Sequence, residues 1–132
     1  MHELLMLAID STVFAVPTSY LVEVLPAVAL SSMPHQPEFI SGLMNLRGEV
    51  IAVHDMRKHA GLIAKEIEET DKIVVATDGK IKLGILVDKI DAVQRFKEEQ
   101  LFAQSLSPRA FRIIELKDRN VHIKDLQDYL DD

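Results

Sequence analysis

The side chains most able to hold a metal or move a proton near neutral pH are five histidines, His2, His35, His54, His59 and His122. None of them forms an HxH, HExxH or HxxxH pair, and His54 and His59 stand at a spacing that no single helix face presents to one ion. His54-Asp55 has the composition of an acid–base dyad, but neighbours in a strand point to opposite faces and cannot hydrogen-bond to each other. His54 is therefore expected to face solvent. Asp55 and Asp125 are expected to cap strand ends or helix starts by accepting from orphan backbone N–H groups. Ser19, Ser31, Ser32, Ser41, Ser105 and Ser107 have no recognisable base and orienter. Cysteine is absent, which removes disulfides, thiolate ligands and a thiol nucleophile together. Gly79 and Gly84 belong to no phosphate-binding loop, and G-x-S-x-G is missing. No catalytic residue, metal or cofactor is expected, and the protein reads as something other than an enzyme.

What stands out instead is the segment Met33 to Arg57. Pro34 and Pro37 stiffen an approach loop, Gly42 and Gly48 permit tight turns, and Arg47 sets a charge in an otherwise apolar stretch. A charge placed there needs a partner. It serves either to fix a loop by a salt bridge or to meet another protein, and one role does not exclude the other.

The elements that position these residues are short and β-rich. Apolar runs at Leu4–Ile9, Thr12–Val16, Glu49–His54, Lys72–Thr77 and Ile81–Val87 are separated by Asp10-Ser11 and Asp78-Gly79, and Asp-Gly between alternating apolar residues signals a hairpin. Pro37–Met44, His59–Glu69 and Lys97–Ser105 are each expected to hold a short helix. The chain also matches itself. At an offset of 69 residues Leu4-Leu5-Met6 falls on Ile73-Val74-Val75, Phe14-Ala15-Val16 on Leu83-Gly84-Ile85, and Val24 on Val93. At an offset of 70, Leu43-Met44 falls on Ile113-Ile114, and Ile51, Val53 and Asp55 on Val121, Ile123 and Asp125. Each half thus reads as a hairpin, a third strand, a loop and a closing strand. Half of 132 residues is too few to bury a strong core alone, so the halves are expected to share one. The division is expected near residue 70, with units at about 10–70 and 71–132 and terminal strands able to cross over. The acidic stretch Lys65–Asp71 is then a solvated connection.

Composition agrees. With 48% hydrophobic and 27% charged residues the chain is an ordinary globular protein, and with 5% aromatics and no Trp its core must be aliphatic, which favours strands. Fifteen Lys and Arg against 21 Asp and Glu leave a formal charge of −6, with no basic stripe to neutralise phosphates, so nucleic acid is not an expected partner. No apolar run approaches the roughly 18 residues of a membrane span, and the start of the chain lacks the basic region of a signal peptide. Direct membrane insertion is not expected, and the protein reads as cytoplasmic.

With these blocks in place the sequence resembles the CheW family of bacterial chemotaxis adaptors. The resemblance rests on Phe14-Ala15-Val16, Leu21-Val22-Glu23-Val24, Phe39-Ile40-Ser41-Gly42, Asn45-Leu46-Arg47-Gly48, Asp55-Met56-Arg57 and Leu83-Gly84-Ile85-Leu86-Val87-Asp88, and covers almost the whole chain. It departs from the family pattern at Phe111–Asp118, where glycines are missing. The resemblance implies a mainly β fold of two SH3-like five-stranded β-barrel subdomains sharing a hydrophobic core, with short helices. It implies a non-enzymatic scaffold that couples chemoreceptors, at their cytoplasmic tips, to a CheA-type histidine kinase. It places receptor contacts at Glu23, Asn45, Arg47 and Gly48, and leaves the kinase surface unassigned. The alternatives are a CheW-like adaptor of another two-component pathway, for motility or development, and a small-ligand-binding β-barrel.

Overall fold

The computed structural model describes residues 2–10, 12–27, 30–31, 37–59, 61–63, 66–97, 112–115 and 120–123. Their strands are β1 (His2–Ile9), β2 (Thr12–Pro17), β3 (Leu21–Pro26), β4 (Ile40–Leu46), β5 (Glu49–Asp55), β6 (Lys72–Thr77), β7 (Lys82–Val87), β8 (Lys89–Phe96), β9 (Arg112–Glu115) and β10 (Asn120–Ile123). A 3-10 turn, Thr18–Tyr20, joins β2 to β3, and a single helical turn, α1 (Met56–His59), follows β5. Two five-stranded sheets result, in the orders β8-β1-β2-β10-β9 and β3-β6-β7-β5-β4. Adding five to each strand number, cyclically, converts one order into the other. The duplication is therefore a property of the fold.

The pairing registers repeat as well. Leu5↔Val16 and Leu7↔Phe14 in the first hairpin recur as Val74↔Ile85 and Ala76↔Leu83 in the second. The parallel pair Val53↔Gly84 recurs as Ile123↔Ala15, and a register shift interrupts both β1–β8 and β3–β6. Coincidence among β-branched residues would not reproduce shared registers and a shared irregularity.

The division near residue 70 does not separate the sheets. β1 and β2 lie in the sheet of β8, β9 and β10, while β6 and β7 lie in the sheet of β3, β4 and β5, so each opening hairpin completes the other half's sheet. The exchange takes in the whole N-terminal hairpin. The hairpin strands are apolar on both faces and so need cover on both. Leu5, Leu7, Ile9, Phe14 and Val16 meet Val74, Ala76, Leu83, Ile85 and Val87 in the core shared by the sheets. The alternate residues fill separate interiors, with Leu4, Met6, Val13 and Ala15 packed beside Phe96 and Val121, and Ile73, Val75 and Leu86 beside Met44, Ile51 and Val53. A strand with two apolar faces belongs in the middle of a sheet.

Other expectations need correction. Pro37–Met44 is not a helix: β4 begins at Ile40, with Ile40, Gly42 and Met44 buried and Ser41 and Leu43 half-buried, a period of two. His59–Glu69 is not a helix either; α1 ends at His59, and Leu62 turns back to pack on the shared core. Of the expected helix Lys97–Ser105 only Lys97 belongs to the described residues; the remainder of that segment, and Asp125, lie outside them. In the acidic connection Glu66, Glu68 and Glu69 are exposed, but Asp71 is buried and its Oδ2 accepts from the Glu68 N–H at 2.8 Å.

Two turns show the local chemistry. Asp78 Oδ1 accepts from the backbone N–H groups of Ile81 (2.8 Å) and Lys80 (2.9 Å), which holds its carboxyl below the usual range, and Gly79 supplies the positive φ of 95°. A Cβ at Gly42 would lie 2.7 Å from Leu30 Cβ and 3.0 Å from Ser31 O, where Ser31 and Leu43 exchange backbone hydrogen bonds. Neither neighbour is the free end of a flexible chain. Gly42→Ala should therefore lower the unfolding free energy by about 1–3 kcal/mol, read as a lower urea midpoint at unchanged slope.

Candidate functional site

Asn45, Leu46, Arg47 and Gly48 turn β4 into β5. Leu46 pairs with Glu49, leaving Arg47 and Gly48 as a two-residue loop whose φ angles, 52° and 87°, are both positive, as a type I′ turn requires. Glycine takes that conformation freely, whereas Arg47 adopts it against the preference of an L residue. Asn45 Oδ1 secures the turn by accepting from the Gly48 N–H at 2.9 Å. The turn thus projects the Arg47 side chain, 70% exposed, from a fixed backbone.

Glu23 meets it from β3. The register shift between Leu21 and Glu23 turns Glu23 toward the inner side of its sheet, and Arg47 Nη2 donates to Glu23 Oε1 at 2.8 Å. β3 and β4 are the two ends of the sheet order, so this ion pair joins ends that share no ladder among the described residues. Glu23 Oε2 is buried and has no hydrogen-bond partner among the described residues. Of the expected site residues, Glu23 and Arg47 are in direct contact, and Asn45 and Gly48 shape the turn that brings them together.

A second charged cluster was not legible as a site. Arg57, buried in α1, donates from Nη2 to Asp88 Oδ2 (2.8 Å) and Oδ1 (3.0 Å), and from Nη1 to Asp10 Oδ2 (2.8 Å). The hydrogen bond to Asp10 is the largest influence raising the guanidinium above its ordinary pKa; burial opposes it, and Asp88 reinforces it. Asp88 Oδ2 also accepts from the Asp10 N–H at 2.8 Å, holding Asp10 at φ 51°. Asp55 acts as a cap, its Oδ1 accepting from the Arg57 N–H at 2.9 Å. The signal in the sequence was Asp55-Met56-Arg57 at a strand end, with Asp10 and Asp88 each just past a strand; nothing in their spacing showed that the turns converge.

His54 does not face solvent. It is 4% exposed, because it lies opposite Ile85 on the face that packs toward the other sheet. Asp55 falls on the opposite face, opposite Leu86. Among the described residues no group of three or more His, Cys, Asp or Glu is placed to hold a metal ion. The crevice between Arg57, Asp55, Asp71 and Asp88 has a volume of about 10 Å³, room for no more than about one water. Among the described residues no helix is long and apolar enough to cross a membrane.

Comparison with known proteins places this arrangement. A family model described as a CheW-like domain matches residues 3–132. The chain is 29% identical over 107 residues to the chemotaxis protein CheW of Thermotoga maritima, covering 81% of this chain and 70% of that protein. It is 28% identical over 130 residues to the chemotaxis protein CheV3 of Helicobacter pylori, covering 91% of this chain and 42% of that longer protein. The crystal structure of the scaffolding protein TtCheW from Thermoanaerobacter tengcongensis superposes with a TM-score of 0.85 at 22% identity, over 95% of this chain and 89% of that one. At that identity the superposition speaks for the fold, two SH3-like β-sheet units about a shared core.

Proposed function

Since the chain belongs to the CheW-like domain family and is a chemotaxis coupling adaptor and not an enzyme, we propose that it joins the cytoplasmic tip of a chemoreceptor to a CheA-type histidine kinase through the turn that carries Arg47. The observation that carries this reading is the Glu23–Arg47 pair, a charge contact of 2.8 Å with the arginine largely in solvent. An exposed pair contributes only about 0–1 kcal/mol to folding. Its placement on a rigid turn suits recognition, since a pre-ordered side chain loses little freedom when it binds. Glu23 orients the guanidinium, Asn45 and Gly48 set the turn, and Arg47 makes the contact. The crevice beside Arg57 has room for no more than about one water, so a small-ligand site would have to lie elsewhere. The adaptor works in the cytoplasm, where receptor tips and the kinase meet.

Two binding experiments test the reading. The purified protein should sediment with membranes bearing a chemoreceptor of its source organism, and separately bind that organism's histidine kinase in solution. Binding to neither would remove the proposal.

A further inference from the structure

The β1–β2 hairpin is matched to its sheet by register and not by nearness along the chain. β1 pairs with β8 from His2↔Phe96 to Ala8↔Lys89, and β2 with β10 from Val13↔Val121 to Ala15↔Ile123. Taken out, the hairpin leaves β8 on one side and β10 with β9 on the other, and these share no ladder among the described residues. Phe96 and Val121, both fully buried, then lose Leu4, Met6, Val13 and Ala15, and the core shared by the sheets is opened as well. The gap is two strands wide and apolar on both faces. The hairpin of a second copy fits it in the same registers.

Which gap the hairpin enters is decided at Thr18–Tyr20, where the chain passes from β2 to β3 in the other sheet. The flanking residues are already extended, Pro17 at φ −54° and ψ 132° and Leu21 at φ −68° and ψ 125°, and no residue of the turn is buried. Straightening it releases the Leu21 N–H from the Thr18 carbonyl and gives up the packing of Tyr20 on the shared core. Every other contact of the hairpin re-forms with the second chain: both ladders, both cores and the Arg57–Asp10 pair. The two arrangements thus differ at the turn, and concentration chooses between them, because a hairpin on its own short tether competes at an effective concentration on the order of millimolar. We propose that the β1–β2 hairpin is an exchangeable element, which in chains folding together at high concentration crosses at Thr18–Tyr20 into the gap between β8 and β10 of a second copy. The exchange belongs to folding, since a hairpin buried on both faces leaves a finished sheet only at a cost close to that of unfolding.

The absence of cysteine makes a cross-linking test unambiguous. Glu3 and Arg95 pair across β1 and β8 with their side chains in contact at 3.4 Å, and both are exposed. Cysteines at two such cross-strand positions are within reach of a disulfide. One chain carries Glu3→Cys and another Arg95→Cys, so neither closes a bridge within itself. The two are unfolded together in urea, refolded together at about 1 mM, where exchange competes with the tether, and oxidised. A non-reducing gel should then show a covalent heterodimer, and size-exclusion chromatography a dimer of the same composition. Chains refolded separately and mixed afterwards at the same concentration should give at least about tenfold less of it, as should joint refolding at a hundredfold dilution. No heterodimer after joint refolding, or as much from chains mixed once folded, would overturn the exchange; the second result would show association of finished surfaces instead.

Discussion

Receptor-dependent control of the kinase is expected to vanish in Arg47→Glu, with the far-ultraviolet circular dichroism spectrum nearly unchanged. The side chain is 70% exposed and the substitution leaves the apolar cores untouched, so folding loses at most the small contribution of one surface pair. Binding loses far more. The new carboxylate would face Glu23 across the position of the present 2.8 Å contact, and the charge that the turn offers to a partner would be reversed. Like charges juxtaposed at an interface cost several kcal/mol, enough for a loss of affinity on the order of a hundredfold or more. A kinase assay with receptor-bearing membranes measures the coupling, and circular dichroism measures the fold. An unfolded variant would show that Arg47 serves to fix its loop.

Arg57→Ala is expected to have the opposite signature, a large loss of stability. The arginine connects Asp10, at the end of the first strand, with Asp88, which lies where the chain passes from one sheet to the other. Removing it leaves two carboxylates close together around a cavity. Breaking a buried pair in this way costs about 3–5 kcal/mol, and because the Asp10 side chain is 65% exposed the lower end, about 3 kcal/mol, is expected. Chemical denaturation measures it. Adding Asp10→Asn and Asp88→Asn to the variant should restore part of the loss, since the stranded charges are what make it costly. A loss well below 1 kcal/mol in Arg57→Ala would show that the cluster does not clamp the sheets.

The fold was legible where apolar pattern and turn chemistry agree. Leu4–Ile9 with Thr12–Val16, and Lys72–Thr77 with the run to Val87, announce two hairpins, and their self-match carries the duplication as far as the shared register of Val53↔Gly84 and Ile123↔Ala15. A crossover of terminal strands was expected, but that both opening hairpins exchange between the sheets was not legible, because strands with two apolar faces are central in any sheet and do not say which one. Pro37–Met44 misled because prolines and a glycine look like punctuation around a helix, whereas Gly42 is there to let the segment of Leu30 and Ser31 approach. His54 misled through alternation alone: a strand residue opposite its polar neighbour is exposed only if no second sheet covers that face. At the site, the block Asn45 to Gly48 pointed to the turn, while the contact with Glu23 spans 24 residues of sequence and depends on how the sheet curls.

The central claim, coupling by association without catalysis, is tested most directly by reconstitution. The source organism's histidine kinase and chemoreceptor membranes are combined with and without this protein, and autophosphorylation is followed as the receptor's ligand is added. The ligand should change the kinase rate only when the protein is present, and the protein alone should leave ATP unhydrolysed. Equal control of the kinase without the protein, or a hydrolytic activity of the protein lost in His54→Ala, would contradict it.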